Sequence, residues 1–191
     1  MLLELRDVTV EYPTPGRDTS TLKALDHLSL SIEAGEAVCV IGPSGCGKST
    51  ALRLASGLAK PTEGEVLAHG EHITGPRDDC ALILQDYGLL PWMSVYKNAE
   101  LGLSVRGVEK EERRRRTLEA LERVGLAGFE KAWPSELSGG MQQRLALARA
   151  VAMRADLLLM DEPLSALDAL LREDMQLMLL RLWNEGGYGQ L

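Results

Sequence analysis

Gly42-Pro43-Ser44-Gly45-Cys46-Gly47-Lys48-Ser49-Thr50 is the stretch on which the fold of this chain turns. The spacing G-x-x-x-x-G-K-S lets successive backbone N–H groups converge on an anion with no side chains in the way. The start of the next helix adds its partial positive charge. Lys48 is spaced to reach the outer phosphates of a nucleotide, and Ser49 to set its hydroxyl on Mg²⁺. Such a loop needs a strand before it and a helix after it. Residues 36–41 form an apolar run that predicts a buried strand, and residues 48–57 predict the helix. An ordinary glycine-rich surface turn has the same composition, so the assignment must be carried by residues elsewhere.

The chain has 191 residues, enough for one domain with a core of ordinary size. With 45% hydrophobic and 26% charged residues it has the composition of a soluble globular protein. Its net charge of −7 argues against a nucleic-acid-binding surface and leaves nucleotide as the expected anion. No apolar run approaches the ~18 residues of a membrane span, and the amino terminus has no cleavable leader pattern, so the expectation is a cytoplasmic protein. Cys39, Cys46 and Cys80 show neither C-x-x-C spacing nor a nearby histidine set, which speaks against a disulfide framework or a zinc site. Cys46, beside Lys48 at a helix start, is expected to be the most reactive thiol. Cys39 and Cys80, in apolar strand runs, are expected to be shielded.

Leu3 and Leu5 lie on one parity and Val8, Val10 and Tyr12 on the other, which predicts a strand with a register change near Asp7. Pro13, Pro15 and Gly16 should end it. Tyr12 by itself reads as a strand-end side chain covering a core edge. Leu28, Leu30 and Ile32 predict a second strand, Val66 to Ala68 a third, and His69-Gly70 a turn whose histidine, like His72, is solvated. Cys80 to Leu84 is a short buried strand ending at Gln85-Asp86, where strand ends in open α/β sheets line a ligand crevice. Gln85 is thereby a candidate for the metal or the attacking water. Leu89-Leu90-Pro91-Trp92 places bulky apolar residues in a loop, as a partner surface does.

Residues 95–124 read as helical, with Glu109 to Glu112 set to pair with Arg113 to Arg116 on a solvated face. Leu137-Ser138-Gly139-Gly140 opens another helix, with Ser138 as its cap and two glycines exposing N–H groups to an anion. Leu157 to Met160 is an apolar strand ending in Asp161-Glu162-Pro163. Two adjacent buried acids need a positive charge beside them, which Mg²⁺ on a bound triphosphate supplies, with Asp161 serving the metal and Glu162 polarising water. Ser165-Ala166-Leu167-Asp168 begins a last helix, whose Leu167, Leu171, Met175, Met178 and Leu182 share a face. Gly186-Gly187-Tyr188-Gly189 stops it.

Taken together and in this order, these motifs resemble the nucleotide-binding subunit of ATP-binding cassette (ABC) transporters from Leu2 to about Trp183. Gln85-Asp86 with Leu89 to Trp92, and Asp161 to Asp168, look most like the nitrate, sulfonate and taurine importer ATPases. The resemblance implies an α/β P-loop fold with a mixed or parallel core sheet, an amino-terminal antiparallel part and a helical subdomain at about 86–135. It implies that Tyr12 stacks on adenine, overturning the plainer reading of that residue. Gly42, Pro43, Ser44, Gly45, Cys46, Gly47, Lys48, Ser49 and Thr50 hold the phosphates. Ser49, Gln85 and Asp161 serve Mg²⁺, and Glu162 is the catalytic base, with Lys48 and Gln85 beside it. Ser138, Gly139 and Gly140 close on nucleotide held by a second copy in a head-to-tail dimer. A membrane-spanning permease docks near Leu89 to Trp92, a substrate-binding protein acts through it, and the subunit sits on the inner face of the membrane. The family carries a further strand and a switch histidine where residues 186–191 lie. The only histidines here are His27, His69 and His72, so the expectation is a shortened carboxyl end and doubtful turnover.

Overall fold

The structure is a computed structural model that describes residues 1–13, 21–165, 167–186 and 189–190. In chain order its elements are β1 (Leu3–Pro13), β2 (Thr21–Ile32), α1 (Lys48–Ala55), β3 (Glu63–Ala68), β4 (Glu71–His72) and β5 (Cys80–Ile83). They continue with α2 (Val95–Val105), α3 (Lys110–Arg123), α4 (Gly139–Ala152), β6 (Leu157–Met160), α5 (Ala169–Gly186) and β7 (Gly189–Gln190). Pro15, Gly16, Ala166, Gly187 and Tyr188 lie outside the described residues. The chain divides into two compact units, one of Met1–Cys80, Asp156–Asp161 and Gly187–Leu191, the other of Ala81–Ala155 and Glu162–Gly186.

The first unit is built on an antiparallel sheet in the order β2-β1-β3-β4. β1 forms where the alternation predicted it, although Thr9 is buried between Val8 and Val10 and Tyr12 is exposed. Leu3, Leu5, Val8 and Val10 are all buried, and the ladder with β2 slips between Leu5 and Val8, at Asp7, whose φ is 51°. β3 and β4 form a hairpin across His69 and Gly70, both at positive φ, as a two-residue turn requires. His69 is exposed as expected, and its Nε2 lies 2.9 Å from Asp79 Oδ2. Arg77 donates to the same carboxylate, Nε to Oδ1 at 2.8 Å, and these bonds, Arg77 first, hold the Asp79 carboxyl down at about 2. β6 and β7 run parallel, with Leu157 opposite Gly189 and Leu158 opposite Gln190, so the residues expected only to stop the last helix enter a short ladder.

The predicted strand at 36–41 does not form. Ala37 makes an isolated bridge, residues 38–41 have no strand structure, and Ile41 is 90% exposed. An apolar run becomes a buried strand only when neighbours take its N–H and C=O groups, and among the described residues none ladders onto 38–41. The expectation of a shielded Cys39 fails for the same reason. Cys39 is exposed, whereas Cys80, inside β5, is buried.

The second unit is helical. The predicted stretch 95–124 is two helices, parted at Gly107, whose φ of 66° no helix continues through. Ser94 caps α2 by accepting from Lys97 N, and Glu109 caps α3 by accepting from Glu111 N and Glu112 N. Val95, Ala99, Leu103, Leu121, Leu126, Leu145 and Leu147 make its core. Arg115 and Arg116 pair with Glu112 along the solvated face as the charge pattern predicts. Arg113 turns inward to Glu100 at 2.7 Å, and Lys97 meets the same carboxylate. Burial pushes the Glu100 carboxyl up, but the two cations outweigh it and hold it below its ordinary value.

Candidate nucleotide site

In the first unit, the turn ending at Gly47 delivers the chain to α1. Gly47 has φ 98°, and a Cβ there would lie 2.4 Å from the Ala24 carbonyl oxygen and 2.7 Å from Leu25. Only glycine satisfies both the conformation and the approach. No side chain caps the start of α1. Lys48 Nζ folds back over the turn, donating to Gly42 O at 3.0 Å and Pro43 O at 3.1 Å. Cys46 N donates to Pro43 O, closing the loop, and the Cys46 Sγ lies where a Gly42 Cβ would be. Pro43, Ser44, Gly45, Cys46 and Ser49 are exposed, and Thr50 is half-buried. The result is a glycine-rich turn at a helix start with the Lys48 ammonium folded over it, the arrangement an anion-binding loop requires. Tyr12, on β1 opposite Leu22 of β2, keeps its ring partly exposed. Asp161 follows β6 and is half-buried.

In the second unit, Gln85 is exposed in a tight turn of residues 85–88 directly after β5. Tyr87 N donates to Leu84 O, and Gly88 N donates to Asp86 Oδ1. Ser138 caps α4 as predicted, its Oγ accepting from Met141 N at 3.3 Å. Gly139 faces open space, whereas a Cβ on Gly140 would touch Leu171 of α5 at 3.4 Å. Glu162 is exposed with φ 46°, and its carbonyl accepts from Ser165 N and Ser165 Oγ. The two acids after β6 are therefore not a buried pair: the strand ends at Met160, Asp161 is half-buried and Glu162 is exposed. Trp92 is 68% exposed, as the loop pattern predicts, while Leu89 and Leu90 are half-buried.

Three residues that sequence reasoning passed over shape these elements. Asn98, fully buried on α2, accepts from Leu90 N and donates to the Leu90, Met93 and Ser94 carbonyls, shaping the loop that presents Trp92. Gln143, 2% exposed on α4, donates to the Pro163 carbonyl beside Glu162, while its own Oε1 has no hydrogen-bond partner among the described residues. Arg149 donates to the Tyr87 and Gly88 carbonyls. Only Arg149, a lone cation between Leu145–Ala148 and Ala150–Ala152, offered a signal in the sequence.

Residues 25–165 match the family model described as ABC transporter. The chain belongs to the ABC transporter family. Among its relatives, an uncharacterised ABC transporter ATP-binding protein of Methanocaldococcus jannaschii is 47% identical over 86% of this chain and 61% of its own length. A putative ATP-binding protein of Brucella abortus is 51% identical over 84% of this chain and 62% of its own length. The taurine import ATP-binding protein of Roseobacter denitrificans is 44% identical over 97% of this chain and 68% of that protein. The chain thus spans less than two thirds of the first two of these ABC relatives. Among solved structures, a dimeric bacterial ABC transporter cassette matches with a TM-score of 0.86 at 35% identity, covering 99% of this chain and 86% of that one. A dimer of an ATP-binding cassette in a post-hydrolysis state with ADP and phosphate matches at 0.84 and 37% identity, covering 97% of this chain and 84% of that one. The ABC ATPase fold expected from the motifs is thereby established.

Proposed function

We propose that this chain is the ATP-binding part of an ABC importer, taking Mg·ATP on residues 42–50 and coupling its hydrolysis to uptake of a small anion such as nitrate, a sulfonate or taurine. The observation that carries this reading is Gly47, whose left-handed backbone and 2.4 Å approach to Ala24 O admit only glycine at the turn that opens α1, as a phosphate-binding loop of this spacing requires. Lys48 and the α1 N–H groups neutralise the phosphates, and Tyr12 covers the adenine. Ser49, Gln85 and Asp161 hold Mg²⁺, which supplies charge neutralisation at the transferring phosphoryl group. Glu162, on its outward turn, takes the proton of the attacking water. Ser138, Gly139 and Gly140 serve the nucleotide of a second copy in a head-to-tail dimer, a reading supported by the dimeric relatives. The permease docks on the loop around the exposed Trp92, on the cytoplasmic face of the membrane. Among the described residues no helix is long and apolar enough to cross a bilayer.

The test is a titration with a fluorescent ATP analogue. Binding that Mg²⁺ strengthens and Lys48→Ala abolishes is expected, together with alkylation of both exposed thiols, slowed by Mg·ATP at Cys46 and not at Cys39. Nucleotide binding untouched by Lys48→Ala overturns the assignment. A second reading, a module that binds ATP and turns it over little, is favoured by the exposed, unladdered run 38–41 immediately before the cradle. Steady-state turnover that disappears in Glu162→Gln selects the first reading. A negligible rate, equal in both proteins, selects the second.

A further inference from the structure

In the first unit, His69, Asp79 and Asp156 bring an imidazole and two carboxylates together, their ligand atoms all within 4.8 Å of one another. None of them belongs to the nucleotide loop. Each comes from a different part of the chain: His69 from the tip of the β3–β4 hairpin, Asp79 from the residue before β5, and Asp156 from the residue before β6. Asp156 N and Leu157 N both donate to Asp79 O, at 2.8 and 3.1 Å, so main-chain bonds fix the two aspartates to each other. His69 Nε2 closes the group, 2.9 Å from Asp79 Oδ2 and 4.0 Å from Asp156 Oδ2. The Asp79 carboxylate is oriented from behind, as the carboxylates of metal sites are. Arg77, 5% exposed, donates through Nε to Oδ1 at 2.8 Å and through Nη2 to Oδ2, while its Nη1 is anchored on Ala55 O at 3.1 Å. That guanidinium offsets one of the two carboxylates.

Around a neutral imidazole one negative charge is left over, on the Asp156 side, where the 4.0 Å gap to Nε2 is too long for a hydrogen bond. A zinc ion bonded at about 2.0–2.2 Å to nitrogen and oxygen in a tetrahedron holds its ligand atoms about 3.5 Å apart, a value between the 2.9 and 4.0 Å seen here. Small rotations of exposed side chains make up the difference. We propose that His69, Asp79 and Asp156 bind a first-row divalent cation, with Zn²⁺ best suited to one imidazole and two carboxylates and water completing its shell. The cation takes the place of the hydrogen between Nε2 and Oδ2, and the imidazole keeps its N–H on Nδ1. Bound there, it ties the hairpin tip to the leads into β5 and β6, at the ends of those strands opposite to Gln85 and Asp161. The site stands or falls independently of the nucleotide reading above.

The experiment titrates ZnCl₂ alone into the untagged chain by isothermal calorimetry, free of nucleotide and Mg²⁺, with the exposed thiols of Cys39 and Cys46 blocked by alkylation. One zinc per chain is expected, with a melting temperature that rises as zinc is added. His69→Asn removes the imidazole and keeps a residue that tolerates the left-handed φ of 51°, and Asp156→Asn removes one carboxylate at an exposed position. Each should bind zinc about tenfold more weakly or worse and lose the melting shift. Both positions are exposed, so both variants should melt as the parent does without metal. His27→Asn, at another left-handed histidine bonded to an aspartate, should titrate as the parent does. Co²⁺ in place of zinc should give visible d–d absorption bands that His69→Asn abolishes. No zinc bound by the parent, an affinity unchanged in His69→Asn or Asp156→Asn, or an equal loss in His27→Asn overturns the proposal.

Discussion

Two glycine-rich helix starts in this chain, at Gly47 and at Ser138, look alike in sequence and are built in opposite ways. The first has no side-chain cap, a left-handed glycine and a backbone carbonyl pressed against the place where a Cβ would be. The second has a serine cap in extended conformation, and its Gly139 faces open space. Glycine is therefore required at position 47 by the chain's own geometry. At position 139 a Cβ would meet none of the described residues within 4 Å, so their geometry does not require glycine there. The lesson is that a glycine motif means different things according to whether φ and the local approach demand it.

The sharpest way to break the contrast is Gly47→Ala. Left-handed strain together with the clash on Ala24 O should remove about 2–4 kcal/mol of stability and abolish nucleotide binding. Urea denaturation and analogue titration check it, and a stable Gly47→Ala protein would show that the α1 start is not held as described. A smaller effect, on the order of 1 kcal/mol, is expected for Ser138→Ala, because one helix-end N–H loses its acceptor. That change should lower the melting temperature and leave affinity for nucleotide by the chain's own cradle unaltered.

Of similar size is the acid sensitivity that Asp79 lends to the first region. Its carboxyl sits at about 2 when folded, against 3.8 for the free group. The folded state binds this proton less readily than the unfolded chain, so the stabilisation is complete well above pH 4 and is lost as pH falls toward 2. The side chain is partly solvated, so the screened contribution is on the order of 1 kcal/mol. Asp79→Asn should flatten the acid limb of a stability profile measured by urea titration at successive pH values. An unchanged limb would remove Arg77 and His69 from the account. The smallest effect is Gly139→Ala, which should stabilise α4 by up to about 1 kcal/mol, since alanine is the better helix former and has room. If the open face receives a second copy, the same variant should weaken ATP-dependent dimerisation measured by analytical ultracentrifugation.

What the sequence determined by itself was local or periodic. The cap at Ser138, the slip of β1 near Asp7, the hairpin turn at His69-Gly70, the exposed Trp92 and the order of the motifs were all legible. Each depends on residues a few positions apart, whose side-chain chemistry and allowed dihedrals act on their own backbone. Tertiary structure alone decided the rest. Residues 38–41 carry the composition of a buried strand, yet strand structure and burial come from neighbouring strands, and none ladders onto them among the described residues. The outward turn of Glu162 is likewise a matter of where β6 ends and how Pro163 is received by Gln143. Arg149 reads in sequence as one more cation in a helix. Its role appears only when the fold brings the carbonyls of Tyr87 and Gly88, distant along the chain, within reach of one guanidinium. Hydrogen-bond partners of that kind are set by packing, which no local pattern encodes.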